Sequence, residues 1–353
     1  MKPFPKRIRK LLVRSTNWIG DAVMTSPAIR TIRQNFPDTE ITLLASPWVA
    51  DVFQASPYVD RIFPYRKKDR HGGLMGKFRL AMDLKPDKFD GAILLQNAFE
   101  AAFITFLARI PVRGGYTTDG RGIFLTHGIR INQDVKQKHQ VNYYQEMLKG
   151  LGLTPGENDL EISVADESLQ WARAMLLDQA ASDIKTVIGI NPGAAYGPAK
   201  RWPSEKFAAL ADQLCHDSHT LILVFGTDAD SDAAERISTT VTNKNNVLNL
   251  TGKTSLSQAM GLISLCDAFV TNDSGLMHVS AALKTATVAV FGSTNPVTTG
   301  PYSDNASIVR TELDCSPCLK THCPQKHFKC MENIEVNDVL FSLRNLMNTL
   351  NKK

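Results

Sequence analysis

Three stretches of this 353-residue chain hold residues whose types and spacing could do chemistry. The first is "NPGAAYGPAKRWPSEKF" (191–207), where small residues and then Lys200, Arg201 and Trp202 join an apolar run to an apolar-periodic helix. A plain connection in an α/β unit needs only about 2–6 residues, so a longer, charged one points to a ligand. The second is "TNDSGLMHVSAAL" (271–283), in which Asp273 or Ser274 can cap a helix and Gly275 lets the backbone approach a ligand. Helix N–H groups and the helix dipole form an anion site there, with His278 one turn further on. A capped helix with a buried histidine is the bland alternative. Lys200 beside such a helix start would suit a diphosphate, as a point charge facing oriented N–H groups. The third stretch, "STNWIGDAVMTSP" (15–27), places Gly20 and Asp21 just after an apolar run.

The elements that must position these residues alternate along the chain. Strands are expected near 10–15, 40–45, 61–64 and 90–95, and then near 186–190, 220–225, 247–250, 267–271 and 286–291. Helices are expected near 21–35, 48–55, 74–83, 99–108 and 140–150, and from about 204, 229, 255 and 274. The stretches 66–73 and 113–124 read as long connections. Such alternation gives parallel sheets covered on both faces. The fold class expected is therefore α/β, with two Rossmann-like doubly wound domains, residues 1–182 and 183–353. "DESLQWARAMLLDQAA" reads as one amphipathic helix near the boundary, and the last helix, 336–350, is a candidate to pack back on the N-terminal domain. In open α/β sheets, ligands bind beyond the carboxyl ends of the strands. All three stretches fall there, as does "FGTDADSD" (225–232).

Negative signals narrow the function. No G-x-G-x-x-G lies between a strand and its helix, and "GKTS" (252–255) lacks the upstream glycine of a P-loop. Basic residues are not interleaved with aromatics, so nucleic acid is not an expected partner. No apolar run reaches the length of a membrane span or of a signal peptide's core, which leads to an expectation of a cytoplasmic protein. The net charge of +5 is uneven, with 25 Lys and Arg against 19 Asp and Glu in residues 1–182 and 15 against 16 in the remainder. Part of the excess is the leader "MKPFPKRIRK" with Arg14. It reads either as a solvated lead-in to the first strand or as a basic segment drawn to an anionic membrane surface.

The segments "NWIGDAVMTSPAIRTIRQNFP", "NPGAAYGPAKRWPSEKFAALADQL", "FGTDADSDAAERI", "NLTGKTSLSQAMGLISLCDAFVTNDSGLMHVSAAL" and "VAVFGSTNP" resemble glycosyltransferase family 9, the ADP-heptose:lipopolysaccharide heptosyltransferases, and within it the type II enzymes. The resemblance implies a GT-B fold, two Rossmann-like domains facing across a cleft, with acceptor on the first and nucleotide sugar on the second. It implies an inverting, metal-independent transfer of L-glycero-D-manno-heptose from ADP-heptose to the inner-core heptose of a lipopolysaccharide precursor. The donor is then a substrate and no cofactor is needed. Asp21 matches the family's proposed base, and the acceptor side would include Asn17, Trp18 and Gly20. The bland reading of Asp21 is a first-turn carboxylate that favours the helix dipole. Lys200 would assist departure of the ADP β-phosphate. Donor contacts carried over by motif are Asn191, Ala194, Ala195, Lys200, Gly226, Thr227, Asp228, Lys253, Thr254, Asp273, Ser274, Gly275 and His278, whereas Trp202 and Pro203 read as packing residues that fix the Lys200 loop. A peripheral place on the cytoplasmic face of the inner membrane would suit such an acceptor. Other readings of the same pattern are another heptosyltransferase type, a GT-B nucleotide-sugar epimerase and a non-catalytic nucleotide-sugar-binding module. The last would have no use for Asp21.

"CSPCLKTHCPQKHFKC" sets Cys315, Cys318, Cys323 and Cys330 in C-x2-C-x4-C-x6-C, with His322 and His327 between. A structural metal, free thiols or a disulfide are the three expectations, and the spacing matches no standard zinc ribbon.

Overall fold

The computed structural model describes residues 3–179 and 184–350. Contacts divide the chain into two units, Met1–Ser163 and Val164–Lys353. In the first, apolar runs form strands β1 (Lys10–Arg14), β2 (Glu40–Ala45), β3 (Arg61–Pro64), β4 (Gly91–Leu94), β5 (Val112–Tyr116) and β6 (His127–Ile129). Helices α1 (Ile19–Met24), α2 (Ser26–Asn35), α3 (Pro47–Ala50), α4 (Gly73–Leu84), α5 (Phe99–Leu107), α6 (Gln133–Gln137) and α7 (Gln140–Gly150) lie between and after them. The sheet order is β3-β2-β1-β4-β5-β6, and every pairing is parallel. Leu11, Leu12 and Val13 of β1 are all fully buried, as expected of a strand covered on both faces. Leu12, Leu44 and Leu94 share one core layer with Leu80 and Leu84 of α4 and Ile104 of α5. Helices α2 and α7 are tied to each other by the buried Thr31–Gln145 pair, 3.1 Å from Oγ1 to Oε1.

The second unit repeats the plan with α8 (Asp166–Gln179), β7 (Thr186–Asn191), α9 (Ser204–Cys215), β8 (Thr220–Val224), α10 (Ser231–Thr240), β9 (Val247–Asn249) and α11 (Leu256–Ser264). It continues with β10 (Ala268–Asn272), α12 (Gly275–Ala282), β11 (Ala286–Phe291), α13 (Pro296–Thr299), β12 (Ala306–Arg310), α14 (Lys329–Glu332) and α15 (Val336–Leu350). Its order, β12-β11-β10-β7-β8-β9, is the first sheet's order read from the other edge, again all parallel. Two parallel Rossmann-like α/β units are those of the GT-B fold.

Several expectations are refined by this architecture. The expected boundary at 182/183 lies outside the described residues, and the contacts place the division at Ser163/Val164 because α8 groups with the second unit. Gly261 of α11 sits against the Ser168 carbonyl of α8, where a Cβ would come within 2.6 Å. The last helix, α15, joins the core of its own unit through Val339, Leu340 and Leu343, beside Val288 and Val290 of β11. The Gly-rich stretch 113–124 holds most of β5, and the expected helix at 21–35 is two helices that meet at Thr25. The basic leader, finally, is partly structural. Phe4 and Ile8 are buried, Lys10 pairs with Glu40 at 3.3 Å, and Arg14 is buried 4.9 Å beneath the Tyr65 ring. Desolvation lowers the Arg14 guanidinium to about 10.

Candidate functional site

The strand order reverses between β7 and β10 in the second unit, and the loops that leave these two strands meet. Asn272, the last residue of β10, is fully buried; its Nδ2 donates to the Pro192 carbonyl at 2.7 Å and its Oδ1 accepts from the Trp202 N–H at 2.9 Å. Asn191, ending β7, donates from Nδ2 to Ser274 Oγ at 2.9 Å and to Thr271 Oγ1 at 3.2 Å. These bonds cross-link the two loops before any ligand arrives.

Lys200 lies at this junction. Its Nζ is 2.6 Å from Asp273 Oδ2 and 4.8 Å from the centroid of the Tyr196 ring. Asp273 is buried and also accepts from Thr294 Oγ1 at 2.6 Å. An ammonium group has three donors, so the Asp273 contact fixes its position and leaves two N–H groups to point elsewhere. Ser274, not Asp273, is the N-cap of α12, its Oγ accepting from the Met277 N–H at 3.3 Å. Lys200, Ser274 and Gly275 are thus brought together around the start of one helix. His278 is buried one turn into α12.

The neighbouring loop after β8 is held by Asp230. Its Oδ2 accepts from the Thr227 N–H at 3.0 Å and from Thr227 Oγ1 at 2.9 Å, and its Oδ1 pairs with Arg201 at 3.4 Å. Gly193 is required here, because an added Cβ would stand 2.6 Å from the Asp230 carboxylate. Arg201 reaches back to the Ala194 carbonyl at 3.2 Å, while Ala195 is exposed. Gly226, Thr227 and Asp228 belong to this loop. Gly252 takes the left-handed region with φ 70° close to Asp228. Lys253 is exposed and donates to the Asn249 carbonyl at 2.9 Å, so its charge is turned onto β9, and Thr254 precedes the capping Ser255. Trp202 is the packing residue expected: its ring meets Phe207 edge-on at 4.9 Å and its Nε1 donates to the Ile334 carbonyl at 3.0 Å.

In the first unit the reversal lies between β1 and β4. Asn17 accepts from Arg14 Nη2 at 2.8 Å, and its carbonyl accepts from Trp48 Nε1 at 2.8 Å. Trp18 is exposed, and Gly20 and Asp21 lie in the first turn of α1, half-buried. Burial pushes the Tyr144 phenol well up, and the nearby Asp21 carboxylate adds to the shift. Across the reversal stands Arg121, fully buried and lowered to about 10 by desolvation. It donates to the Gln96 and Tyr116 carbonyls and to Asn97 Oδ1.

Sequence reasoning missed Arg121, Asn97, Tyr144, Asp230, Asn272 and Thr294. The signal available for three of them was position, since Asn97 and Thr294 follow strands β4 and β11 and Asn272 ends β10. The partners of Arg121 and Asp230 depend on tertiary packing. All six cysteines are free thiols, and among the described residues no three His, Cys, Asp or Glu side chains form a metal-holding group.

The profile of glycosyltransferase family 9 (heptosyltransferase) matches residues 77–329. Lipopolysaccharide heptosyltransferase 2 of Salmonella typhimurium is 32% identical over 346 residues, covering 96% of this chain and 98% of that protein. The solved structure of E. coli ADP-heptose lipopolysaccharide heptosyltransferase II aligns with a TM-score of 0.81 at 28% identity, covering 97% of this chain and 99% of that one. A glycosyl transferase family 9 structure from Veillonella parvula aligns with a TM-score of 0.86 at 24% identity, covering 97% and 98%, a likeness of fold.

Proposed function

The chain belongs to glycosyltransferase family 9, and from that premise we propose that it moves L-glycero-D-manno-heptose from ADP-heptose to the inner-core heptose of a lipopolysaccharide precursor, with inversion. The observation that carries the donor half is the Lys200–Asp273 pair held at the start of α12. The ADP diphosphate would receive the Nζ donors that Asp273 leaves available and the N–H groups at Ser274 and Gly275. As the glycosidic bond breaks, negative charge grows on the β-phosphate, and oriented donors of this kind stabilise it most where it grows. They supply the positive potential for which a metal would otherwise serve, and addition of a chelator is expected to leave the reaction unchanged.

Asp21 is the proposed general base. It would take the proton of the acceptor hydroxyl while that oxygen attacks the anomeric carbon from the face opposite the departing ADP. Its position beyond β1, beside Asn17 and Gly20 and near Tyr144, is where the first unit's strand reversal opens. The type II acceptor is favoured because the 32% identity to a heptosyltransferase 2 extends over nearly the whole chain. Incubation with ADP-heptose and lipopolysaccharide acceptors of defined truncation, followed by mass spectrometry, tests this reading. One added heptose on an acceptor that ends in a single heptose is expected, and transfer only to a heptose-free acceptor would assign another type. Asp21→Asn should lower turnover by roughly 10²–10⁴ with ADP affinity unchanged. Near-normal turnover would leave Asp21 as a helix-end charge and no more.

A further inference from the structure

Helix α4 carries apolar residues on two faces. Gly76, Leu80, Ala81 and Leu84 are buried in the first unit, whereas Leu74, Met75, Phe78 and Met82, spaced i, i+1, i+4 and i+8, are 63, 67, 41 and 59% exposed. The exposed stripe continues onto α5 through Phe106 and onto the turn at 121–124 through Ile123, which is 81% exposed. Ring contacts make the surface continuous: Phe78 meets Phe103 at 6.0 Å, Phe103 meets Phe124 at 5.5 Å and Phe124 meets Phe106 at 5.1 Å. A groove of about 480 Å³ runs between α4 and α5 with Phe78, Met82 and Phe106 in its wall and Lys85 and Arg109 also lining it. A contiguous apolar surface of this kind marks an interaction site.

The charges around it have one sign to spare. Residues 66–113 hold ten Lys and Arg against five Asp and Glu. Every one of those acids is engaged: Asp69 by the Arg70 N–H, Asp83 by Arg70 and His71, Asp87 by Arg61, Asp90 by the N–H groups of Arg9 and Lys10, and Glu100 by Lys67 and Lys77. Arg79, Lys85, Lys88 and Arg109 have no carboxylate partner among the described residues. Arg79 and Lys85 border the α4 stripe, and Arg109 follows α5.

We propose that this face of the first unit docks on the anionic surface of a phospholipid bilayer. Leu74, Phe78 and Met82 enter the boundary between headgroups and acyl chains, and Arg79, Lys85, Lys88 and Arg109 lie at the phosphate level, as in an interfacial amphipathic helix. The basic leader, for which membrane attraction was one of two readings, has two of its charges committed, Lys10 to Glu40 and Arg14 to the interior. In a parallel βα unit α4 and α5 begin at the sheet edge that carries Asp21, so a docked bilayer lies at the side from which a lipid-borne acceptor would come. The proposal holds whichever sugar is transferred.

Flotation of the full chain with vesicles tests it. The chain should float with phosphatidylglycerol–phosphatidylethanolamine vesicles and stay behind with phosphatidylcholine vesicles, and added salt should release it. Leu74→Ser/Phe78→Ser/Met82→Ser and Arg79→Glu/Arg109→Glu should each weaken binding by roughly tenfold or more. Lys6→Glu/Arg7→Glu in the leader should leave it nearly intact. Because the altered side chains are exposed, thermal unfolding and transfer to a delipidated, water-soluble acceptor should be unchanged in all these variants. Loss of binding in the leader variant alone, equal binding to neutral vesicles, or self-association through this face in place of vesicle binding would each overturn the proposal. Failure of heptose transfer with flotation intact would instead count against the assigned reaction.

Discussion

Lys200 and Asp273 form a pair that mutagenesis has to treat as one object. Asp273 is 5% exposed, and with Lys200 gone its remaining side-chain partner among the described residues is Thr294. Lys200→Ala alone should therefore cost roughly 1–3 kcal/mol of stability from the stranded carboxylate, in addition to whatever it does to ADP. Lys200→Ala/Asp273→Ala removes both charges, and its stability should return most of the way to that of the parent chain. ADP affinity should not return: the double variant should still bind ADP about 1.5–3 kcal/mol more weakly, the value of a hydrogen bond to a charged group. Thermal unfolding and calorimetry on the four proteins of the cycle separate the two effects. Recovery of ADP affinity in the double variant would mean that Lys200 serves only to neutralise Asp273.

At the level of elements, the junction of β10 with α12 joins packing to the proposed chemistry. Ser274 Oγ accepts from the Met277 N–H and from Asn191 Nδ2, so one hydroxyl both caps α12 and ties its start to β7. Ser274→Ala should lower stability by about 1 kcal/mol and weaken ADP binding as well, because the N–H groups at the helix start lose their fixed direction; Ser274→Thr, which keeps the hydroxyl, should restore both. A stability loss with unchanged ADP affinity would remove this helix start from the donor site. The cap was legible from "TNDSG", since the residue types and their position after an apolar run are local facts. Strand β5 was not, because "VRGGY" has the composition of a turn. Its glycines answer to tertiary contacts: a Cβ on Gly114 would come within 3.0 Å of Leu151, and one on Gly115 within 3.1 Å of the Leu94 carbonyl. The break between α1 and α2 was hidden for a similar reason. Pro27 tolerates a helix start, and Thr25 closes α1 by donating from Oγ1 to the Ala22 carbonyl at 2.6 Å.

Over the whole molecule, the same strand order occurs twice, and each sheet's reversal carries a different chemical endowment. The second unit has oriented N–H groups and Lys200 beside its reversal, the first has Asp21, Asn17 and a buried Arg121. Alternating strands and helices made this duplication readable from sequence, while the exact division at Ser163/Val164 depended on which core α8 enters. If the endowments are a donor site and an acceptor site, ADP alone should address only one unit. A ligand at about 100 times its Kd stabilises the state it binds by about 2.7 kcal/mol, which slows hydrogen exchange wherever local opening breaks the site. With saturating ADP, amide exchange by mass spectrometry should slow in peptides spanning 191–203, 225–232 and 271–283. Peptides spanning 15–27 and 94–99 should exchange as before. Protection of the 15–27 peptide equal to that of 271–283 would contradict a donor site confined to the second unit. It would require Asp21 to be reassigned from the acceptor to the nucleotide.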